Sequence, residues 1–259
     1  FLSEEEVYAY AVKYGEMYDV DPLLILAVAN IESSFNAHAV STSEAIGLMQ
    51  IKFSTYDGDI RPATGTPSDV SALFDPEINV RCGAYYLHWL FERLGSVREV
   101  VVAYNYGIGN VMRMLGDEQY SSDGVTLIYE NIPNVSARSY QRRVMAKYEE
   151  YTAEYGEYFE QLVCMELKTW IDYTRPKSTL SYWRSTSNME VDFCLDEELA
   201  IEVKCTMNVT EKHLRGLRAL REEGIFKRYI VVSQEERPRL EDGIEILPWK
   251  YFFAQLWGG

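Results

Sequence analysis

Between positions 32 and 50 the chain reads Glu-Ser-Ser-Phe-Asn, then Ser41, then a Gly-Leu-Met-Gln turn ending at Gln50. The carboxylate follows Leu23, Leu24, Ile25, Leu26, Ala27, Val28, Ala29 and Ile31, so a helix through this run carries Glu32 at the end of an apolar segment. Poor solvation disfavours the charged carboxylate and raises its pKa. A carboxyl that keeps its proton near neutrality suits general acid chemistry. Ser41 and Gln50 stand nine and eighteen residues further on, within reach of a turn that returns both beside Glu32. Downstream, Tyr104-Asn105-Tyr106-Gly107-Ile108-Gly109-Asn110 places a phenol and an amide next to a flexible turn, a pairing that orients polar substrates. Its Gly-x-Gly follows a helix and lacks the third glycine of a dinucleotide fingerprint, so it carries no phosphate signal. Plainer roles stay open: Glu32 ion-paired at a helix end, Tyr104 and Tyr140 as core aromatics, Ser41 and Asn105 as turn residues.

A second set of carboxylates lies in two runs that read as strands, Glu190 to Leu195 and Leu199 to Thr206. Alternation puts Asp192 and Cys194 on one face of the first, and Glu202, Lys204 and Thr206 on one face of the second. If the short turn at Asp196 to Glu198 pairs Leu195 with Leu199, Asp192 falls opposite Glu202. Like charges so placed repel unless a proton or a cation offsets them. Lys204 is one candidate cation and Mg²⁺ another, with Asp192 and Glu202 as its ligands. A solvated strand face with an internal Glu to Lys pair is the alternative.

The elements that must hold these residues fall into two groups. Ser3 with Glu6 forms a capping box, and Asp21-Pro22 and Asp75-Pro76 are helix starts. A helix over Asn79 to Leu94 puts Val80, Ala84, Leu87 and Phe91 on one face and closes at Gly95. Further helices are expected over about Val97 to Tyr104 and Ala137 to Tyr155, and residues 53–72, rich in Gly, Pro, Thr, Ser and Asp, read as a surface loop. After Gly156 the pattern changes to a helix (Tyr158 to Ile171), three strands (Ser181 to Arg184 and the two above), an amphipathic helix (Glu211 to Glu223), strands at Tyr229 to Ser233 and Ile244 to Leu247, and a last helix from Trp249. The expectation is a mainly α domain over 1–155 and an α/β domain over 156–259.

The formal charge is −15, divided as −11 over residues 1–155 and −4 over 156–259. Such acidity disfavours nonspecific attraction to nucleic acid and points the first half towards a neutral or cationic polymer. No apolar run reaches the roughly 18 to 20 residues of a membrane-spanning helix. The four cysteines show no CxxC and no clustering with the three histidines, so neither a zinc site nor a disulfide framework is indicated. The chain opens on Phe1 rather than Met, and its compartment is not legible from that end.

Taken in order, Glu32 to Asn36, Ser41, Gly47 to Gln50, Asp75-Pro76, Asn79, Gly83, Tyr86-Leu87, Ala103 to Asn105 with Gly107 and Gly109, Ile132-Pro133 and Tyr140 resemble the soluble lytic transglycosylases over about residues 5–150. The resemblance implies a goose-lysozyme-like fold and cleavage of the MurNAc to GlcNAc β-1,4 bond of peptidoglycan strands, with formation of 1,6-anhydro-MurNAc and no cofactor. Glu32 would be the single general acid and base, with Ser41, Met49, Gln50, Tyr104, Asn105 and Tyr140 holding the substrate. It also implies work in the periplasm or outside the cell. Two places depart from the pattern: Ser136-Ala137 stand where Glu-Thr is common, and Lys52-Phe53 where Met-Pro is common.

The second half is similar to the C-terminal domain of a family of bacterial ATPases, through Phe159-Glu160, Tyr182-Trp183-Arg184, Glu190 to Phe193, Ile201 to Lys204 and Leu247-Pro248-Trp249. It also resembles the restriction-endonuclease-like fold, in which two acids bind Mg²⁺ and a lysine aids attack on a phosphodiester. Such proteins are cytoplasmic, so the two halves imply different compartments and a fusion, natural or engineered. The rival functions are a glycan-binding scaffold that does not cut and a Mg²⁺-dependent nuclease.

Overall fold

A computed structural model describes every residue except Pro176, Ser187, Glu236 and Gly259. The chain divides into two compact units, Phe1–Tyr151 and Thr152–Gly259.

The first unit is helical. Helix α1 (Glu4–Tyr18) starts at the expected capping box, in which Glu6 N–H donates to Ser3 Oγ and Ser3 N–H to Glu6 Oε2. Helix α2 (Pro22–Ser33) starts at Asp21, whose carboxylate accepts from Leu23 N–H at 2.8 Å. Every residue from Pro22 to Ala29 is buried, so α2 is a central helix with no solvent face, as an apolar run of this kind requires. A short hairpin follows, β1 (Ala45–Ile46) antiparallel to β2 (Ile51–Lys52), with Ala45 opposite Lys52.

The segment after it is not the expected surface loop. It forms α3 (Phe53–Thr55), one π-helical turn (Tyr56–Ile60), α4 (Arg61–Thr64) and a 3₁₀ turn (Val70–Phe74). Tyr56, Ile60 and Leu73 are fully buried; three inward anchors outweigh a turn-like composition, because apolar burial is worth about 1.5–3 kcal/mol per large side chain. Helix α5 (Pro76–Leu94) is capped by Asp75 and ends at Gly95, with Val80, Ala84 and Leu87 buried and Phe91 partly so. Helix α6 (Val97–Tyr106) runs two residues past the expected end, and α7 (Ile108–Leu115) follows it after Gly107.

Helix α8 spans Val135–Thr174 without interruption, which corrects the expectation of two helices parted near Gly156. A glycine inside a helix costs only about 1 kcal/mol relative to alanine, too little to stop a run of helix formers on both sides. The residues of α8 up to Tyr151 belong to the first unit. There Tyr148 donates to Asp21 Oδ2 at 2.7 Å, and Tyr151 to Glu4 Oε2 at 2.9 Å.

The second unit is a six-stranded sheet in the order β3-β4-β5-β6-β8-β7. Its strands are β3 (Leu180–Arg184), β4 (Glu190–Leu195), β5 (Leu199–Lys204), β6 (Arg228–Ser233), β7 (Arg239–Glu241) and β8 (Ile244–Pro248). Strands β5, β6 and β8 are parallel neighbours and the other pairs are antiparallel. A 3₁₀ turn (Glu211–Leu214) and α9 (Arg215–Glu222) replace the single helix expected there. Leu214, Leu217 and Leu220 pack with Val191, Ala200 and Val231 on one face of the sheet. On the other, Phe159, Val163 and Leu167 of α8 and Phe252 of α10 (Trp249–Trp257) pack with Phe193, Ile201 and Val232. Strand β7 was not foreseen; it is a three-residue, charged edge strand, the form in which sheet edges are blunted.

Candidate active site

Glu32 is the penultimate residue of α2 and lies partly exposed at one end of that buried helix. Tyr140 of α8, itself buried, donates its hydroxyl to Glu32 Oε1 at 2.7 Å. Burial pushes the Glu32 carboxyl up to about 7, while the Tyr140 bond and the Arg143 guanidinium pull it down. Burial also lifts the Tyr140 and Tyr104 phenols well above their ordinary value, the neighbouring Glu32 charge adding to it. Both therefore stay protonated and act as donors.

The turn from Gly47 to Gln50 is tied to α2, α5 and α6 as well as to itself. Asn79 of α5, fully buried, donates to Ile46 O at 3.0 Å and Leu73 O at 2.7 Å and accepts from Met49 N–H at 2.8 Å. Gly47 has φ of +79°, and a Cβ there would stand 2.2 Å from Asn79 Nδ2. Ser33 donates to Leu48 O at 2.8 Å and Tyr104 to Met49 O at 2.9 Å. Gln50, in the left-handed region with φ of 49°, turns its amide back to Ala39 O and Gly47 O. Ser41 Oγ accepts from Ala45 N–H at 3.0 Å and meets Ser43 Oγ at 3.1 Å.

A cleft of about 410 Å³ opens here. Glu32 and Gln50 border it; Ser41, Ser43, Lys52 and Thr55 come from the side of the β1–β2 hairpin, and Tyr86, Tyr104 and Asn105 from α5 and α6. Glu32 is the only carboxylate among the described residues that line it. Tyr86 packs against Tyr104 at 5.4 Å between ring centres and stacks on Trp89 at 5.8 Å. Asn105 is exposed on the cleft and its side-chain amide bonds to no other described residue.

Of the site residues read from the sequence, Glu32, Ser41, Gln50, Tyr104 and Asn105 line one cleft, and Tyr140 bonds the acid from beneath. Met49 does not reach the cleft: it is fully buried, and a Cβ on Gly83 would stand 2.1 Å from its sulfur. Its backbone, bonded to Asn79 and Tyr104, is what serves the site. Sequence reasoning passed over Ser43, Thr55 and Arg143. Only for Arg143 was there a signal, three residues after Tyr140 and so on the same side of a helix.

In the second unit β4 and β5 pair in the anticipated register, Leu195 opposite Leu199 and Phe193 opposite Ile201. Lys204 Nζ lies 2.5 Å from Glu202 Oε1, and Asp192 Oδ2 accepts from Val203 N–H at 2.7 Å. Thr206 falls beyond β5. Burial, then the Asp192 charge, pushes the Glu202 carboxyl up to about 7; its Oε2 is buried with no partner. As a Mg²⁺ site the pair is incomplete by itself: each acid has only one oxygen engaged, Lys204 lies on Glu202, and no group of three or more His, Cys, Asp or Glu ligands forms among the described residues.

Comparison with known proteins agrees with this geometry. Residues 9–125 match the family described as Transglycosylase SLT domain, and residues 155–252 a Domain of unknown function, DUF4143. Membrane-bound lytic murein transglycosylase C of Edwardsiella ictaluri is 42 % identical over 116 residues, 40 % of this chain and 32 % of that protein. Its namesake in Serratia proteamaculans is 40 % identical over 124 residues, 44 % of this chain and 34 % of that one. The chain thus spans about a third of the length of these curated relatives. Among solved structures, the 70 kDa soluble lytic transglycosylase of Escherichia coli superposes with a TM-score of 0.53 at 28 % identity, over 57 % of this chain and 24 % of that one. An inactive mutant of lytic transglycosylase Slt from Pseudomonas aeruginosa gives 0.50 at 28 % identity, over 56 % and 24 %. The first unit therefore matches a transglycosylase SLT domain and has its mainly helical, lysozyme-like fold, and the second matches a domain of unknown function.

Proposed function

We propose that the first unit is a peptidoglycan lytic transglycosylase that cleaves the MurNAc to GlcNAc β-1,4 bond with Glu32 as its only acid and base. The observation that carries this reading is a solitary cleft carboxyl held near pH 7 by burial. Ordinary glycosidases place two carboxyl groups about the scissile bond; with one, the substrate's own N-acetyl group must stabilise the oxocarbenium-like carbon. Protonated Glu32 gives its proton to the leaving glycosidic oxygen as the C1–O4 bond breaks. The resulting carboxylate then takes the proton of the MurNAc 6-hydroxyl as that oxygen bonds to C1. The ring closes as 1,6-anhydro-MurNAc, no water is consumed, and Glu32 is left protonated for the next turnover. Tyr140 steadies the ionised form between the two steps, and Asn105, Gln50 and Ser41 present polar atoms to the sugar.

Mass spectrometry of digested sacculi tests the reading: products should end in 1,6-anhydro-MurNAc. Reducing ends would instead mean attack by water, and intact sacculi that nevertheless bind the protein would mean a glycan-holding scaffold. Because the first step needs protonated Glu32, the rate should fall as pH rises through about 7. Tyr140→Phe removes a bond that lowers this pKa, so the alkaline limb should move up by about half to one pH unit, the worth of one such bond. A pH–rate profile of both proteins reads the shift, and an unmoved limb would show that Tyr140 does not tune the acid.

The place of action is the cell envelope, a reading supported by membrane-bound relatives and by the substrate. No helix among the described residues is long and apolar enough to cross a membrane. For the second unit the restriction-endonuclease-like architecture is supported by a mixed sheet covered by helices on both faces; the kinship with an ATPase-borne domain rests on the sequence pattern alone. Asp192, Glu202 and Lys204 are then a charge cluster that fixes the β4–β5 pair, with Lys204 on Glu202 and Asp192 on Val203 N–H.

A further inference from the structure

Lys52 closes β2 opposite Ala45, and both residues line the cleft. Directly paired residues of an antiparallel ribbon point to the same side, and Lys52 lines the same wall as Ser43 and Thr55. It is the only cation among the described residues lining the cleft. In a chain of net charge −15, an exposed lysine has many acids to choose from. Yet Lys52 forms no ion pair and no side-chain hydrogen bond with any described residue. Glu32, the only carboxylate among the described residues lining the cleft, keeps its proton below about pH 7. Lys52 therefore offers the cleft a cation that no described acid neutralises, which favours an anionic ligand there.

We propose that Lys52 determines specificity by binding a carboxylate of the glycan strand, with the Ser43 and Thr55 hydroxyls beside it. This rests on the reading of the cleft as a peptidoglycan site. The muramyl sugar supplies the anion, because its lactyl ether ends in a carboxyl group. That group is either free, on strands stripped of peptide, or amide-linked to a stem peptide with carboxylates of its own.

The experiment compares three soluble glycans of equal length: with stem peptides, stripped to the free lactyl carboxylate, and stripped with the lactyl carboxyl converted to a neutral methylamide. Wild-type protein should prefer one of the two charged glycans over the neutral one by about five- to tenfold in kcat/KM, mostly through KM, the span of an exposed to half-covered ion pair. Lys52→Met should bring that ratio to about one, Lys52→Arg should keep most of it, and added salt should erode it. The charged glycan that loses its advantage identifies the source of the carboxylate. Identical ratios in wild type and Lys52→Met would overturn the proposal. Calorimetric binding of the same glycans to Glu32→Gln and to Glu32→Gln with Lys52→Met separates the two questions. If the wild type yields no anhydro products, the transglycosylase reading falls. The charge preference in binding, present without the second substitution and lost with it, would still establish the contact.

Discussion

Glu32→Gln is expected to reduce glycan cleavage by about 10²- to 10⁴-fold, the usual worth of a positioned acid–base group, while raising the stability of the fold above neutral pH. The amide has the shape of the carboxyl, and its oxygen still accepts from Tyr140, so the 2.7 Å contact persists. What disappears is the proton for the leaving oxygen and the base for the 6-hydroxyl. The stability change follows from linkage. Glu32 has a pKa raised from 4.5 in the unfolded chain to about 7 in the fold, with burial as the main cause. The native state then binds more protons between those values, so stability falls as pH rises through the window. Below 4.5 both states are protonated and no penalty exists; above about 7 the buried charge costs at most about 3 to 4 kcal/mol. The amide never ionises. Urea unfolding at pH 4 should therefore show little difference between the two proteins, and at pH 8 the variant should be the more stable. A variant equally stable at both pH values would mean that Glu32 is solvated and its pKa not raised, and one that still cleaves at the wild-type rate would mean that its acid role is misassigned.

The placement of Glu32 at the end of a buried helix was legible because local rules agree with the packing. An apolar run ending in a glutamate has to bury its helix, and Asp21-Pro22 fixes where that helix begins. The pairing of Leu195 with Leu199 was legible for a similar reason: a short turn leaves few registers. What stayed hidden depends on contacts between distant segments. Residues 53–72 have the composition of a loop, and only Tyr56, Ile60 and Leu73 reaching the core turn them into helical turns. The continuity of α8 through Gly156 was masked because glycine weakens a helix without forbidding one. Met49 was grouped with the substrate-binding residues because it sits inside the motif. Its side chain instead answers to Gly83, thirty-four positions away, and no pattern along the chain marks such a contact.

That same dependence makes Asn79→Ala the substitution with the largest expected effect on folding. Asn79 uses three of its hydrogen-bonding positions at once, holding Ile46 O, Leu73 O and Met49 N–H in a place with no solvent access. Removing it leaves three buried backbone groups without partners, each costing about 1–3 kcal/mol; even incomplete relaxation leaves a loss of about 3–5 kcal/mol, against a total stability of about 5–15 kcal/mol. Asn79→Leu refills the space but satisfies none of the three, so it should be no better than alanine. Asn79→Asp keeps the acceptor for Met49 N–H and turns a second oxygen on the carbonyls of Ile46 and Leu73, so it too should fail. The damage extends to the chemistry, because the backbone that Asn79 holds carries Leu48 O and Met49 O, the acceptors for Ser33 and Tyr104, and then Gln50. Chemical denaturation should show a lower midpoint for all three variants, and at low temperature, where they remain folded, cleavage should drop further than the folded fraction accounts for. An Asn79→Ala protein with the midpoint and activity of the wild type would mean that the Gly47 to Gln50 turn holds its shape without α5, and the cleft would then owe its geometry to the hairpin alone.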